Sequence, residues 1–169
     1  MANIRLLSGQ QNVPISWGVD NSTSSTSVTE SGSISIDANT FKTGDYISFG
    51  AMFDRNTSGL SNVGVRLYVS TGGTLTGAVQ VARRIITITQ GFFYLSRKMF
   101  IANQTGGGSG NSVGTQLLSS TLNLTDDYQS GSLSSLSIDW TKNITFIAAG
   151  FVNDPSDAVN FYSLKVFKY

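Results

Sequence analysis

The sequence predicts an all-β domain built as an antiparallel β-sandwich, and three observations support this. The chain of 169 residues contains 25 Ser, 17 Thr and 18 Gly, while β-branched and aromatic residues are plentiful and exposed helix formers are scarce. Apolar and polar residues alternate in short runs that turn signals separate at even spacing. No stretch shows the 3.6-residue apolar period of a helix. Sandwiches and barrels fit such a pattern, and the length fits one domain.

The N-terminal part is predicted to be an extended arm over residues 1–32, followed by the domain over residues 33–169. Ile15, Trp17 and Val19 form one short alternation, and the Ser/Thr-rich stretch after it has almost nothing to bury. We expect these three side chains to dock the arm on a partner surface, with Trp17 as the anchor. The alternative is that residues 15–19 form the first edge strand of the domain.

Strand signals then follow one another to the end of the chain. The predicted strands begin at Ile34 and continue with residues 46–53, 63–69, 86–88, 92–102, 118–124, 136–140, 144–151 and 159–169. Turn residues lie between them: 41–45 and 141–143 are predicted turns, 90–91 a tight turn, and 54–62, 70–77, 104–114 and 153–157 loops. Trp140 shares an apolar face with Leu136 and Ile138, which favours a place in the core over a sugar-stacking role.

The last strand is apolar on both faces. Strict alternation places Tyr162, Leu164 and Val166 on one face, and Phe161, Phe167 and Tyr169 on the other. A monomer that exposed the second row would lose solubility, so we predict that Phe161, Phe167 and Tyr169 form an oligomer interface. The alternative is that other parts of the same chain cover both faces. Residues 92–101 show the same two-sided apolarity and are a candidate neighbour.

Three segments carry a family resemblance. They are residues 43–49 (TGDYISF), residues 63–69 (VGVRLYV) and the aromatic strand 161–167 (FYSLKVF). In order and pattern they resemble the TNF/C1q-like jelly rolls of tailed-phage virion proteins, which include head decoration proteins, head fibres and tail-fibre tips. The resemblance covers residues 34–169. It implies a jelly-roll homotrimer around a three-fold axis, without cofactor or catalysis, and an N-terminal arm that docks on the larger particle.

The amino-acid composition excludes most kinds of catalytic site. The chain has no Cys and no His, which excludes Cys–His pairs, Ser–His–Asp triads and zinc sites built from nitrogen and sulfur ligands. The formal net charge is +1, so no charge excess points to nucleic acid or to a membrane surface. No apolar run is long enough to cross a bilayer. We predict no catalytic residue, no metal site and no cofactor.

The remaining charged and glycine-rich clusters have simple structural interpretations. The glycine-rich loop 106–112 lacks the lysine of a phosphate-binding loop and is interpreted as a strand connection, with a ligand-contacting loop tip as the lesser alternative. The acidic pairs Asp126–Asp127 and Asp154–Asp157 are interpreted as turn residues rather than as metal or catalytic carboxylates. Arg83–Arg84 and Arg97–Lys98 fit either a positive patch for a partner's carboxylate or solvated charge that protects a strand edge.

The sequence therefore predicts a non-enzymatic structural protein located in the virion. It would be a trimeric capsid decoration (cement) or head-fibre protein of a tailed bacteriophage, with the major capsid protein or another virion protein as its partner. The alternative is a carbohydrate- or receptor-binding module, such as a tail-fibre tip, that holds a glycan with the Gly/Ser loop and exposed aromatic residues.

Overall fold

A computed structural model describes residues 27–57, 63–86, 93–105, 112–115, 134–154 and 156–169. These residues form nine strands: β1 (Thr29–Ile36), β2 (Tyr46–Thr57), β3 (Val63–Ser70), β4 (Val79–Ile86), β5 (Phe93–Ile101), β6 (Ser112–Thr115), β7 (Ser134–Leu136), β8 (Ile144–Val152) and β9 (Asp157–Lys168). Within the described part there is no helix, and hence none that could span a membrane.

The strands form two antiparallel sheets. The four-stranded sheet has the order β1-β8-β3-β4, and the five-stranded sheet has the order β7-β6-β5-β2-β9. Alternate side chains of both sheets meet in one buried apolar cluster, as the alternating sequence requires. The prediction of an all-β, two-sheet antiparallel sandwich is therefore confirmed.

Aromatic rings fill one end of the core. Phe146 of β8 makes edge-to-face contacts with Phe49 of β2 and with Phe41, at centroid distances of 4.8 and 5.8 Å. Trp140 packs edge-on against Phe41 at 5.4 Å and is fully buried. The core position predicted for Trp140 is confirmed, although β7 ends at Leu136 and Trp140 lies in the turn before β8.

Among the strand boundaries that differ from the predictions, three follow directly from cross-strand pairing. β2 continues through residues 54–57, which were predicted to be a loop, because the long strand β9 pairs with it as far as Asp157. β4 begins at Val79, well before the predicted strand at residues 86–88, because β3 pairs with its polar residues. β6 lies at the end of the predicted loop 104–114, because β5 supplies its partner. Cross-strand pairing decided each boundary.

The start of the domain also differs. β1 begins at Thr29, so the last four residues of the predicted arm belong to the four-stranded sheet, where they pair with β8. The docking residues Ile15, Trp17 and Val19 lie outside the described residues, as does the predicted strand at residues 118–124.

A bulge in β9 breaks the alternation expected for the last strand. Met52 of β2 pairs with Ser163, while the next residue, Phe53, pairs with Phe161, so Tyr162 is the extra residue. The bulge turns Phe161 toward the core, where its ring packs on Phe53 at a centroid distance of 5.8 Å. The prediction that Phe161 shares a face with Phe167 and Tyr169 is therefore wrong.

Candidate functional site

The outer face of the five-stranded sheet is the candidate functional surface. It is formed by outward-pointing side chains of the three neighbouring strands β5, β2 and β9. Among the described residues the large exposed hydrophobic side chains are Tyr46, Met52, Tyr94 and Tyr169, with exposed fractions of 53, 39, 45 and 52%. All four lie on this face. A grouped set of this kind marks an interaction surface, whereas scattered exposed apolar residues do not.

One end of the face is an aromatic group of residues from all three strands. Tyr46 and Phe100 are direct cross-strand partners, and their ring centroids lie 4.9 Å apart. On the other side, the Tyr169 amide donates a hydrogen bond to the Tyr46 carbonyl at 2.9 Å. Tyr46, Ile47, Lys98 and Tyr169 line a shallow cavity of about 200 Å³. This end of the face therefore offers phenol rings and an ammonium group around a small depression.

Tyr94 of β5 extends across β2 in the middle of this face. Its phenol group passes over Gly50, so closely that a Cβ at that position would overlap the ring. Burial raises the pKa of the Tyr94 hydroxyl, and the neighbouring Tyr169 raises it further. Because Gly50 has no side chain, the ring can lie across β2 while nearly half of the residue stays exposed. Tyr94 thus presents a flat ring to solvent next to Met52, its cross-strand partner.

Charged groups of both signs lie on or beside this face. Lys98 of β5 and Lys165 of β9 are exposed and lie on opposite sides of β2. The nearby carboxylates are engaged: Asp45 pairs with Lys168 at 2.6 Å, and Asp54 accepts a hydrogen bond from the Tyr162 hydroxyl at 3.3 Å. The face therefore combines apolar rings with two ammonium groups.

The predicted interface residues are only partly together on this face. Phe167 is half-buried opposite Ser48, and Tyr169 is exposed beside Tyr46, so both belong to it. Phe161 does not, because the β9 bulge places it in the core. Tyr46, Met52 and Tyr94 were not singled out from the sequence, although the strict alternation of residues 46–53 already places Tyr46 and Met52 opposite the core-facing side chains.

The basic pairs do not form the predicted surface patch. Arg84 lies opposite Val65 and Arg97 opposite Phe49, so strand alternation turns both toward the core, where they are 3 and 0% exposed. Neither is the solvated edge charge of the alternative interpretation. Their chain neighbours Arg83 and Lys98 point outward, as the alternation of side chains along a strand requires.

Of the acidic residues singled out, Asp154 behaves as predicted and Asp157 does not. The Asp154 carboxylate accepts hydrogen bonds from the Ser156 amide and hydroxyl at 2.9 and 2.8 Å, which makes it a turn residue. Asp157 instead forms a buried ion pair with Arg55 at 3.3 Å between the sheets. Asp126 and Asp127 lie outside the described residues, as does most of the glycine-rich loop. The described part contains no group of three potential metal-ligating residues.

Comparison of this chain with protein-family models, with curated proteins and with solved structures gives no match. The geometry of the sandwich and the chemistry of its outer surfaces are therefore the basis on which we infer a function.

Proposed function

We propose that this chain is a non-enzymatic structural protein that assembles as a homotrimer, with the outer face of the five-stranded sheet as a subunit interface. The observation that carries the proposal is the collection of all large exposed hydrophobic side chains of the described residues on that one face. Aromatic residues and Met are enriched in interface cores, and Asp and Glu are depleted there. The aromatic residues and Met52 of the face fit this composition, whereas its lysines and serines fit the polar rim of an interface.

Burial of this face in a subunit interface is energetically favourable. Full burial of one large apolar side chain contributes roughly 1.5–3 kcal/mol, and Tyr46, Met52, Tyr94 and Tyr169 are 39 to 53% exposed. Partial burial of four such residues in each copy therefore supplies several kcal/mol toward association, before the entropic cost of assembly is subtracted.

Within this proposal the sandwich is a TNF/C1q-like jelly roll of the tailed-phage virion type. The trimer decorates the head as a cement protein or forms a head fibre. The resemblance of residues 43–49, 63–69 and 161–167 supports this placement, and the two antiparallel sheets are compatible with it. Its partner is the major capsid protein or another virion protein, on which Ile15, Trp17 and Val19 of the N-terminal arm dock.

Sedimentation at micromolar concentration tests the trimer. The wild type should sediment with three times the 18.0 kDa chain mass, and Tyr46→Ser combined with Tyr169→Ser should release folded monomers. Thr74→Ala, in the exposed β3–β4 loop, is the control and should leave the trimer intact. A wild type that stays at 18.0 kDa would contradict the proposal.

The virion role needs a separate test with purified particles. The protein should be present in a fixed ratio to the major capsid protein. Removal of residues 1–26, which leaves β1 complete, should abolish attachment without unfolding the domain. Trp17→Ala should weaken attachment, with Ser8→Ala as a control in the same segment. Undiminished attachment of the shortened chain would refute docking by the arm.

A carbohydrate-binding module is the second candidate, because Tyr94 offers a flat exposed ring of the kind on which sugars stack. Serine hydroxyls lie beside it: Ser96 and Ser163 flank Gly50 and Met52 on the neighbouring strands. A glycan array separates the two functions. Specific binding by the wild type that is lost in Tyr94→Ala would favour the glycan module, whereas a trimer without glycan binding favours the structural role.

A further inference from the structure

We propose that the edge formed by β1 is a strand-addition site, at which an extended basic segment of a partner protein pairs with β1 and continues the four-stranded sheet. The inference goes beyond the proposed function, because it depends neither on the trimer nor on the N-terminal arm. Three features of the described residues support it: an open strand edge, regular pairing along that strand, and two carboxylates beside it.

The described strands leave four sheet edges, and three of them carry features that hinder pairing with another strand. β4 has a register shift in its pairing with β3 and the buried, inward-pointing Arg84. β9 has a bulge at Tyr162 and the exposed Lys165, and β7 is only three residues long. Bulges, inward charges, edge lysines and short strands are the means by which sheets avoid edge-to-edge association.

The second half of β1, at the fourth edge, lacks these features. From Gly32 to Ile36 it pairs with β8 in continuous register, and β1 contains no Lys, Arg or Pro. Along such a strand every second residue directs its N–H and C=O groups away from the paired neighbour. No described strand pairs with these groups on the outer side of β1. A row of this kind is the template on which strand addition takes place.

The side chains along this edge define the pattern that a partner segment should have. Ser33 and Ser35 are exposed on the outer face, whereas Ile34 and Ile36 point into the core. A strand that continues the sheet therefore meets hydroxyl groups on one face and the margin of the apolar core on the other. The partner segment should accordingly alternate polar and apolar residues.

Two carboxylates lie beside this stretch and define the charge of the partner. Glu30 lies within β1 and Asp37 follows it directly, and within the described residues neither carboxylate makes an ion pair or a hydrogen bond. Because Glu30 lies opposite Ala149 and Ile36 opposite Ile144, the β1 bulge leaves six positions of a straight partner strand between the levels of the two carboxylates. Two basic residues six positions apart, roughly 20 Å along a strand, would therefore reach both.

Charge also decides against a second copy of this chain as the occupant of the edge. Two β1 strands that overlapped antiparallel along their whole length would bring Glu30 of each copy next to Asp37 of the other. Like charges opposite each other destabilise a strand pair, whereas opposite charges stabilise it. A basic segment of another protein therefore fits the edge better than β1 of a second copy does.

Binding of synthetic peptides, measured by fluorescence anisotropy, tests the inference. The probe is a labelled heptapeptide with Lys at both ends, Val at positions 2, 4 and 6 and Thr at positions 3 and 5, and the control peptide has Glu at both ends. The lysine peptide should bind roughly tenfold more tightly or better. Glu30→Gln combined with Asp37→Asn should remove this preference, whereas Asp54→Asn, in the other sheet, should leave it. Circular dichroism verifies that every variant is folded.

Backbone pairing needs a second measurement, because charge alone also attracts a basic peptide. Amide hydrogen exchange in β1 should become slower at alternate residues when the lysine peptide is bound. Two further versions of this peptide carry N-methyl groups on the amides of either the odd or the even positions. One version should still bind and the other should not, because only one edge of an added strand faces β1.

Several results would overturn the strand-addition site. They are no binding at millimolar peptide, equal binding of the lysine and glutamate peptides, and equal binding of the two N-methylated versions. Self-association of the wild type that Ser35→Lys abolishes without unfolding the domain would also overturn it, because a second copy would then occupy the edge. The proposed trimer is tested separately, by Tyr46→Ser combined with Tyr169→Ser.

Discussion

The Phe161 ring occupies the space into which a side chain at Gly32 would project: an ideal Cβ at Gly32 would lie 2.5 Å from Cε1 of the ring. Gly32 lies at the β1 bulge, on the edge of the four-stranded sheet. Phe161 lies beside the β9 bulge, on the edge of the five-stranded sheet in the described part. The contact therefore closes one open side of the sandwich, and it needs both bulges and the missing side chain.

Gly32→Ala should destabilise the domain by about 1–3 kcal/mol, because the new methyl group displaces a packed aromatic ring. Urea unfolding followed by tryptophan fluorescence measures the change in the free energy of unfolding. Gly72→Ala is the matched control, since the nearest atom to a Cβ there is the Ser70 hydroxyl oxygen at 4.0 Å. Equal stability of the two variants would show that Phe161 does not depend on Gly32.

Gly50→Ala and Tyr94→Ala should be coupled, because the Tyr94 ring lies where a Gly50 Cβ would stand. Gly50→Ala alone should be destabilising, whereas the same change in a Tyr94→Ala background should cost less. Residues in direct contact show coupling energies of about 0.5–3 kcal/mol in a double-mutant cycle. Additive effects in urea unfolding would mean that the ring does not rest on β2.

Breaking the buried pair of Arg55 and Asp157 should cost about 3–5 kcal/mol, because either change removes one partner of an ion pair that is buried between the sheets. Asp157→Asn is the sharper variant, since it keeps the side-chain volume. Asp37→Asn, at an exposed position, is the control and should be near neutral. The melting temperatures of both variants are measured by thermal unfolding, and that of Asp157→Asn should be the lower. Similar melting temperatures would contradict a structural role for the ion pair.

The free energy of unfolding should decrease at acid pH, in part because two carboxylates that lie in turns become protonated. Hydrogen bonds from Thr141 lower the pKa of Asp139, and hydrogen bonds from Ser156 lower the pKa of Asp154. A pKa lowered by folding gives stability that is present above the unfolded-state pKa and is lost as the pH falls through the folded-state pKa. Urea unfolding between neutral pH and pH values below the usual carboxyl range should show this loss.

The matched test of that pH dependence replaces both carboxylates. Asp139→Asn with Asp154→Asn keeps an oxygen that accepts the same hydrogen bonds but removes the titration. The acid decline should be shallower in this double variant than in the wild type. Asp37→Asn is again the control, and its acid decline should match that of the wild type. An unchanged slope in the double variant would show that other groups cause the loss.

The sequence alone determined the all-β class, the two-sheet sandwich and the strands with strict alternation. Residues 46–53 and 63–69 fold as predicted because each side chain's face follows from its parity in the strand. The core position of Trp140 followed from the apolar residues two and four positions before it. These features depend only on the spacing of apolar residues within one strand, and the sequence shows that spacing directly.

Only the tertiary structure decided which residues form the outer surface and which charges are buried. Phe161 moved from the predicted interface to the core because one extra residue in β9 reversed its face, and no local pattern marks that bulge. Arg97 was predicted to be a surface charge and Asp157 a turn residue, but both are buried between the sheets, because cross-strand neighbours set their burial. The alternation of residues within a strand shows which side chains share a face. Which of the two faces meets the core depends on the strands that pair with it, and those strands lie far apart in the chain.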